Sequence, residues 1–275
     1  MRRHELSDAE WEFVRPLLPV SLRGRKRLDD RRVLNGIVWK FRTGTAWRDV
    51  PECYGPWATL HTRFRRWAAD GTFDRMLRAA QAKADAAGDI EWLVSVDSTV
   101  VRAHQHAAGA KKGLRDPALG RSRGGLTSKI HLACDGRGRP LGFVVTGGNT
   151  NDCTRFTAVM EAIRVPRIGP GRPRVRPDHV LGDKGYSSKA IRAWLRRRGI
   201  PHTIPERADQ VRNRARRGSR GGRPPAFDRE AYKHRNVVER CFNRLKQWRG
   251  IATRYDKTAQ SYEAAVTLAS LLMWA

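Results

Sequence analysis

The chain has 275 residues, with 55 Lys or Arg against 27 Asp or Glu and a formal net charge of +28. That length suits one large domain or two modest ones, and such a charge resists compaction unless a polyanion relieves it, which makes nucleic acid the expected partner. The four cysteines form no CxxC pair, which speaks against a zinc ribbon and for a reduced compartment, and no apolar run reaches the length of a membrane span.

Met1-Arg2-Arg3-His4-Glu5 contains no leader pattern, so a cytoplasmic, nucleoid-associated protein is expected. Ser7 with Glu10 forms a capping box ahead of Trp11, Val14, Leu17 and Leu18, which recur at helical spacing. Arg23 to Arg27 reads as a basic connector. Asp29 or Asp30 caps a second helix whose face carries Val33, Leu34, Ile37, Val38 and Phe41. Thr43 to Pro51 is a turn-rich link. A third helix starts at Pro56-Trp57 and runs through Trp67, Asp70-Gly71-Thr72 breaks it, and a fourth follows from Phe73 to about Ala87. Residues 1–88 are thus expected to form an all-α, helix-turn-helix-like unit. The third helix presents Arg63, Arg65 and Arg66 as candidate DNA contacts.

At Gly88 the pattern changes. Trp92 to Arg102 is β-branched and nearly continuously apolar, as a central strand is. Residues 107–127 are Gly-rich, basic and aperiodic, which predicts a loop. Lys129–Cys134 and Leu141–Thr146 read as a hairpin across Asp135-Gly136-Arg137-Gly138. Asp152 is expected to cap a helix that runs through Ile163. Val180-Leu181-Gly182 is a short strand, Lys189–Arg198 a helix, and Ile200–Ile204 another strand. Residues 206–227 are basic and lack any hydrophobic pattern, so they read as a loop, disordered without a ligand. One helix is predicted from Arg229 to Trp248 and a last one from Gln260. Residues 89–275 therefore read as a mixed α/β sheet covered by helices.

Three acids stand out. Asp97 interrupts an apolar strand, where a carboxylate is costly unless paired or metal-bound. Asp183 follows a second strand, and Glu239 lies on the later helix. Each alone has an ordinary explanation: a strand-end Asp, a turn Asp, a helical Glu. Two strand Asp and one helix Glu together suit a metal-binding centre at a sheet edge. Tyr232, Arg235, Glu239 and Lys246 lie at offsets of zero, three, seven and fourteen. On one helix they project at roughly 0°, 300°, 340° and 320°, an arc of about 60°. Val238, Cys241, Phe242 and Leu245 occupy the neighbouring arc, which predicts that this arc packs on the sheet. Paired imidazoles at His104 and His106 are more simply polar residues after a strand. Gly124-Gly125 and Gly147-Gly148 lack a following phosphate-binding motif.

The Y-x2-R-x3-E-x6-K signature, Val96-Asp97-Ser98-Thr99 and Gly182-Asp183-Lys184-Gly185-Tyr186 resemble a DDE transposase of insertion-sequence family five, close to family four. Ala46-Trp47-Arg48-Asp49-Val50-Pro51 resembles the region that precedes the catalytic core there. The resemblance implies a ribonuclease-H-like core with Asp97, Asp183 and Glu239 as ligands of two magnesium ions, for which manganese substitutes. It implies DNA cleavage and strand transfer at element ends, with Tyr232, Arg235 and Lys246 against DNA. The implied partners are double-stranded DNA, as terminal inverted repeats and as target, and a second copy of the chain. Glu239 is then expected within metal-bridging reach of both Asp. A metal-dependent nuclease without strand transfer and a DNA-binding regulator remain alternative readings. Residues 206–227 are too short and too charged for the β-rich insertion that interrupts the core in many relatives.

Overall fold

The computed structural model describes residues 4–19, 28–109 and 118–275. The connector expected at Arg23–Arg27 and part of the loop expected at 107–127 lie outside the described residues.

The N-terminal region is helical. The capping box forms as expected: Glu10 N–H donates to Ser7 Oγ (3.0 Å) and Ser7 N–H to Glu10 Oε2 (2.7 Å), opening α1, Asp8–Val14. Asp29, rather than Asp30, caps α2, Asp30–Thr43, by accepting Arg32 N–H. α3 spans Trp57–Ala69 and α4 spans Thr72–Ala86. Gly71 joins them with φ +72°, a left-handed conformation that glycine adopts without strain.

The sheet comes next: β1, Leu93–Ala103; β2, Gly120–Ser122; β3, Gly125–Cys134; β4, Pro140–Gly147. α5, Phe156–Ala162, leads to β5, His179–Gly182, then α6, Lys189–Arg197, and β6, His202–Thr203. α7, Ala208–Arg216, α8, Arg229–Lys233, and α9, Val237–Lys246, follow. α10, Arg249–Ala252, β7, Thr253–Arg254, and α11, Ala259–Leu272, end the chain's regular structure. The main strand order is β4-β3-β1-β5-β6. β3 is antiparallel to both of its neighbours, β1 and β4, whereas β5 and β6 continue the sheet parallel to β1. The fold is thus the ribonuclease-H-like α/β class expected, with β1 as its central strand.

Helices cover both faces. α5 packs on β3 and β4, and α9 packs on β1 and β3. The buried side of α9 is Val237, Val238, Cys241, Phe242 and Leu245, which contains the predicted apolar arc. α11 packs on α3, α4 and β4, and α10 packs on α2. The N-terminal helices therefore share one apolar core with the C-terminal ones: Phe41, Phe64 and Phe73 belong to the same cluster as Tyr262 and Leu268.

Several expectations change. Residues 206–227 contain α7 and a 3-10 turn at Gly218–Gly221. α7 escapes a hydrophobicity reading because it buries no residue. β2 and the start of β3 lie inside the expected loop. They are held by main-chain pairing of Gly120–Ser122 with Gly125–Thr127, which needs no apolar pattern. β7 was not expected either; it pairs with Arg102 and Ala103 of β1. Asn151, not Asp152, caps the turn before α5, by accepting Cys153 N–H (3.0 Å). Asp152 instead accepts Lys129 Nζ at 2.9 Å. Finally, the single helix expected at 229–248 is broken by a 3-10 turn at His234–Asn236.

Candidate active site

β1 and β5 run side by side with Val96 opposite Gly182. The next residues, Asp97 within β1 and Asp183 just past the end of β5, therefore stand at the same level. The Asp97 carboxylate accepts Ser98 N–H (2.8 Å) on Oδ1 and Arg235 Nη2 (2.6 Å) on Oδ2. Burial pushes its carboxyl above the usual range, and the charge of Asp183 adds to this; Ser98 N–H and Arg235 act in the opposite sense. Asp183 caps the turn Lys184–Tyr186, its Oδ1 accepting Gly185 N–H at 2.7 Å. Tyr186 lies buried beneath, and burial, with Asp97, Asp152 and Asp183 nearby, holds its hydroxyl protonated.

Glu239 stands in the first turn of α9, which lays it across β1. Its Oε1 accepts Arg235 Nη1 at 2.9 Å. One guanidinium thus bridges Asp97 and Glu239. The Arg235 and Asp97 side chains are only 18% and 19% exposed, whereas Glu239 is 53% exposed. Tyr232 faces the same group: burial raises its hydroxyl pKa, with Arg235 opposing and the three acids reinforcing. Its ring packs on Phe227 at 5.1 Å between centroids. Lys246 Nζ reaches Val100 O on β1 at 3.4 Å, and burial lowers its pKa.

Tyr232, Arg235 and Glu239 thus gather at the acids, but not as one smooth helical arc, while Lys246 lies farther along β1, against Val100. The 3-10 turn advances each residue by about 20° more than an α-helix does. Arg235 sits within that turn, between the two acids. The expected three-acid convergence is accordingly not closed: among the described residues no three His, Cys, Asp or Glu stand close enough to hold one metal ion. The guanidinium fills the gap between Asp97 and Glu239. The donor set still fits magnesium, since all three acids offer hard oxygen ligands. A buried Asp97 carboxylate that already takes a cationic partner is consistent with a cation there.

On α3, Arg65 and Arg66 are exposed, but Arg63 is not a free DNA contact. It is 9% exposed, donates to Asp30 at 2.7 Å, and lies over the Trp67 ring. Its place one turn ahead of Trp67 aims it inward, and it pins α3 to α2. Arg63→Ala is expected to lower stability by about 1–2 kcal/mol, through lost packing on Trp67 and the lost ion pair with Asp30, while Arg66→Ala leaves stability within about 0.5 kcal/mol. Thermal unfolding of both variants checks the contrast; equal melting points would void it. Sequence reasoning also missed Arg207 and Gln210, which sit against the turn after Asp183. Nothing in a patternless basic segment could have marked them.

A ribonuclease-H-like sheet with one acid on its central strand, one just past the neighbouring strand and one on the helix packed over the central strand, in a strongly basic chain, defines a nucleic-acid-processing class. A family model described as "Transposase DDE domain" matches residues 89–274, and one described as "Putative transposase of IS4/5 family" matches residues 6–77. The chain belongs to the DDE transposases of IS4/5 type. It is 34% identical over 146 residues to the "Putative transposase for insertion sequence element IS402" of Burkholderia cepacia, covering 53% of this chain and 62% of that one. It is 28% identical over 149 residues to the corresponding IS6501 protein of Brucella ovis, covering 54% and 98%. An uncharacterised protein of Sinorhizobium fredii is 41% identical over 116 residues, covering 41% and 89%. No solved structure matches the chain. Among the described residues no helix is long and apolar enough to cross a membrane.

Proposed function

We propose that this chain cuts DNA at the ends of an insertion sequence and transfers the strands to target DNA. Asp97, Asp183 and Glu239 are the ligands of two magnesium ions, with manganese as a substitute. When bound to such a carboxylate set, divalent ions activate the attacking hydroxyl and stabilise the leaving oxygen. The observation that supports this most is the adjacency of Asp97 within β1 and Asp183 just past β5, with Arg235 linking Asp97 to Glu239.

The chain's own residues bind and orient. Arg235 carries positive charge to the acidic centre, Lys246 carries it farther along β1 beside Val100, and Tyr232 offers an aromatic wall; all three are assigned to DNA. Arg65 and Arg66 lie on the exposed side of α3, within residues 1–88, the DNA-binding unit. Residues 89–275 form the catalytic unit. The working species is at least a dimer on paired terminal inverted repeats, in the cytoplasm at the nucleoid.

The test is a gel assay with paired end DNA, a supercoiled target plasmid and magnesium. Joined products are expected. Cleavage without joining would reduce the reading to a nuclease, and binding alone would reduce it to a regulator. Glu239→Gln should bind end DNA normally and cut none; wild-type cutting by that variant would sink the acid assignment.

A further inference from the structure

Asp183 owes its placement to the turn that follows it. An added Cβ at Gly185 would lie 2.7 Å from Asp183 Oδ1, so carboxylate and turn are in close contact. The carbonyls of that turn are held from outside. Arg207 donates Nε to Lys184 O (3.0 Å) and Nη2 to Gly185 O (2.8 Å). Gln210 donates Nε2 to Ser187 O (2.7 Å), and its Oε1 accepts both Ser187 Oγ (2.7 Å) and Arg207 N–H (3.1 Å). The Cys153 thiol, kept protonated by burial, donates to Gly185 O at 2.6 Å from the segment before α5.

α7 is attached without apolar burial: none of its residues is buried, and Val211 is 44% exposed. Arg214 ties the same helix back to Glu206. A helix with no hydrophobic anchor, carrying both ends of a clamp on one turn, is explained poorly as packing. Holding the Lys184 carbonyl orients the Lys184–Gly185 peptide plane, which carries the Gly185 N–H. The Asp183 carboxylate hydrogen-bonds to the N–H of Gly185.

We infer that Arg207 and Gln210 are positioning residues that set the direction of the Asp183 carboxylate through the Lys184–Ser187 turn. The inference rests on the proposed role of Asp183 as a metal ligand.

The experiment uses the full chain with Arg207→Ala, Gln210→Ala and, as control, Asp183→Asn. Mn²⁺ binding without DNA is followed by electron paramagnetic resonance, beside melting temperature, DNA affinity against salt, and the Mn²⁺ midpoint for cleavage. Arg207→Ala and Gln210→Ala should each raise both Mn²⁺ midpoints roughly tenfold, as loss of ligand-orienting partners does. Excess Mn²⁺ should restore most of the cleavage rate, and the melting temperature should stay near wild type. Unmoved Mn²⁺ midpoints in both variants would overturn the clamp. So would a defect in Arg207→Ala confined to weaker DNA binding with a shallower salt slope, which makes Arg207 a phosphate contact. If Asp183→Asn still binds Mn²⁺ and cuts, the metal-ligand reading falls and takes the clamp with it. If Asp183→Asn is dead while both clamp variants behave as wild type, the clamp alone falls. Should Arg207→Ala misfold, Gln210→Ala carries the same readouts.

Discussion

Asp97→Asn is expected to lower DNA cleavage by roughly a thousandfold or more, the scale of losing several kcal/mol of charge stabilisation at the reacting phosphate. The same substitution should raise the melting temperature in metal-free buffer at neutral pH. The gain in stability comes from the burial of the charge. The carboxylate lies mostly buried on the central strand, and burial is the largest influence on it, pushing its carboxyl above the usual range. Ionised Asp97 therefore costs folding free energy. Asparagine keeps the shape without the charge, although its single carbonyl oxygen can take the place of only one of the two carboxylate oxygens that accept from Ser98 N–H and Arg235. Active-site groups are commonly held against stability in this way. Cleavage of end DNA and thermal unfolding of the same preparation check the pair of outcomes. A variant that loses activity and also melts earlier would show that the Arg235 pair outweighs the burial. A variant that still cuts would remove Asp97 from the chemistry.

What the sequence showed about this site follows from which forces leave a pattern. Val238, Cys241, Phe242 and Leu245 announce the packed side of α9 because burial of apolar surface repeats with the helical period. Asp97 stands out for the converse reason, as a charge where the pattern calls for an apolar residue. Contacts made by polar groups leave no period. α7 is held by side chains on carbonyls, β2 and β7 by main-chain pairing, and none of the three was read. Arg63 could not be told from Arg65 and Arg66, because its partner, Asp30, is 33 residues upstream and on another helix. The same holds for Arg235. Its offset from Glu239 implied a shared face, but the contact with Asp97, 138 residues away, is a tertiary fact. That contact places the guanidinium between Asp97 and Glu239.

The largest stability effect is therefore expected at Arg235. Its fork donates Nη2 to Asp97 and Nη1 to Glu239, so one positive charge is shared between two members of the acidic centre. Removing one partner of a fully buried pair costs about 3–5 kcal/mol, because the other charge is left uncompensated. Both side chains here retain nearly a fifth of their exposure, and solvent screens the remainder, so about 2 kcal/mol is expected for Arg235→Ala. In a chain of this size that lowers the melting temperature by roughly 5 °C. Divalent cations should reverse the loss, since the orphaned carboxylates then have a positive partner. The wild type should gain less from the same cations, because they must first displace the guanidinium. Arg235→Lys should fall between the two, as an ammonium is a point charge and cannot span both acids. On DNA, the alanine variant should bind more weakly, with a salt slope shallower by about one unit, as expected for one lost phosphate contact. Thermal unfolding with and without magnesium, beside a salt titration of end-DNA binding, measures all of this. An alanine variant as stable as wild type without divalent ions would show that the bridge contributes nothing. An unchanged salt slope would confine Arg235 to the acids and take it off the DNA.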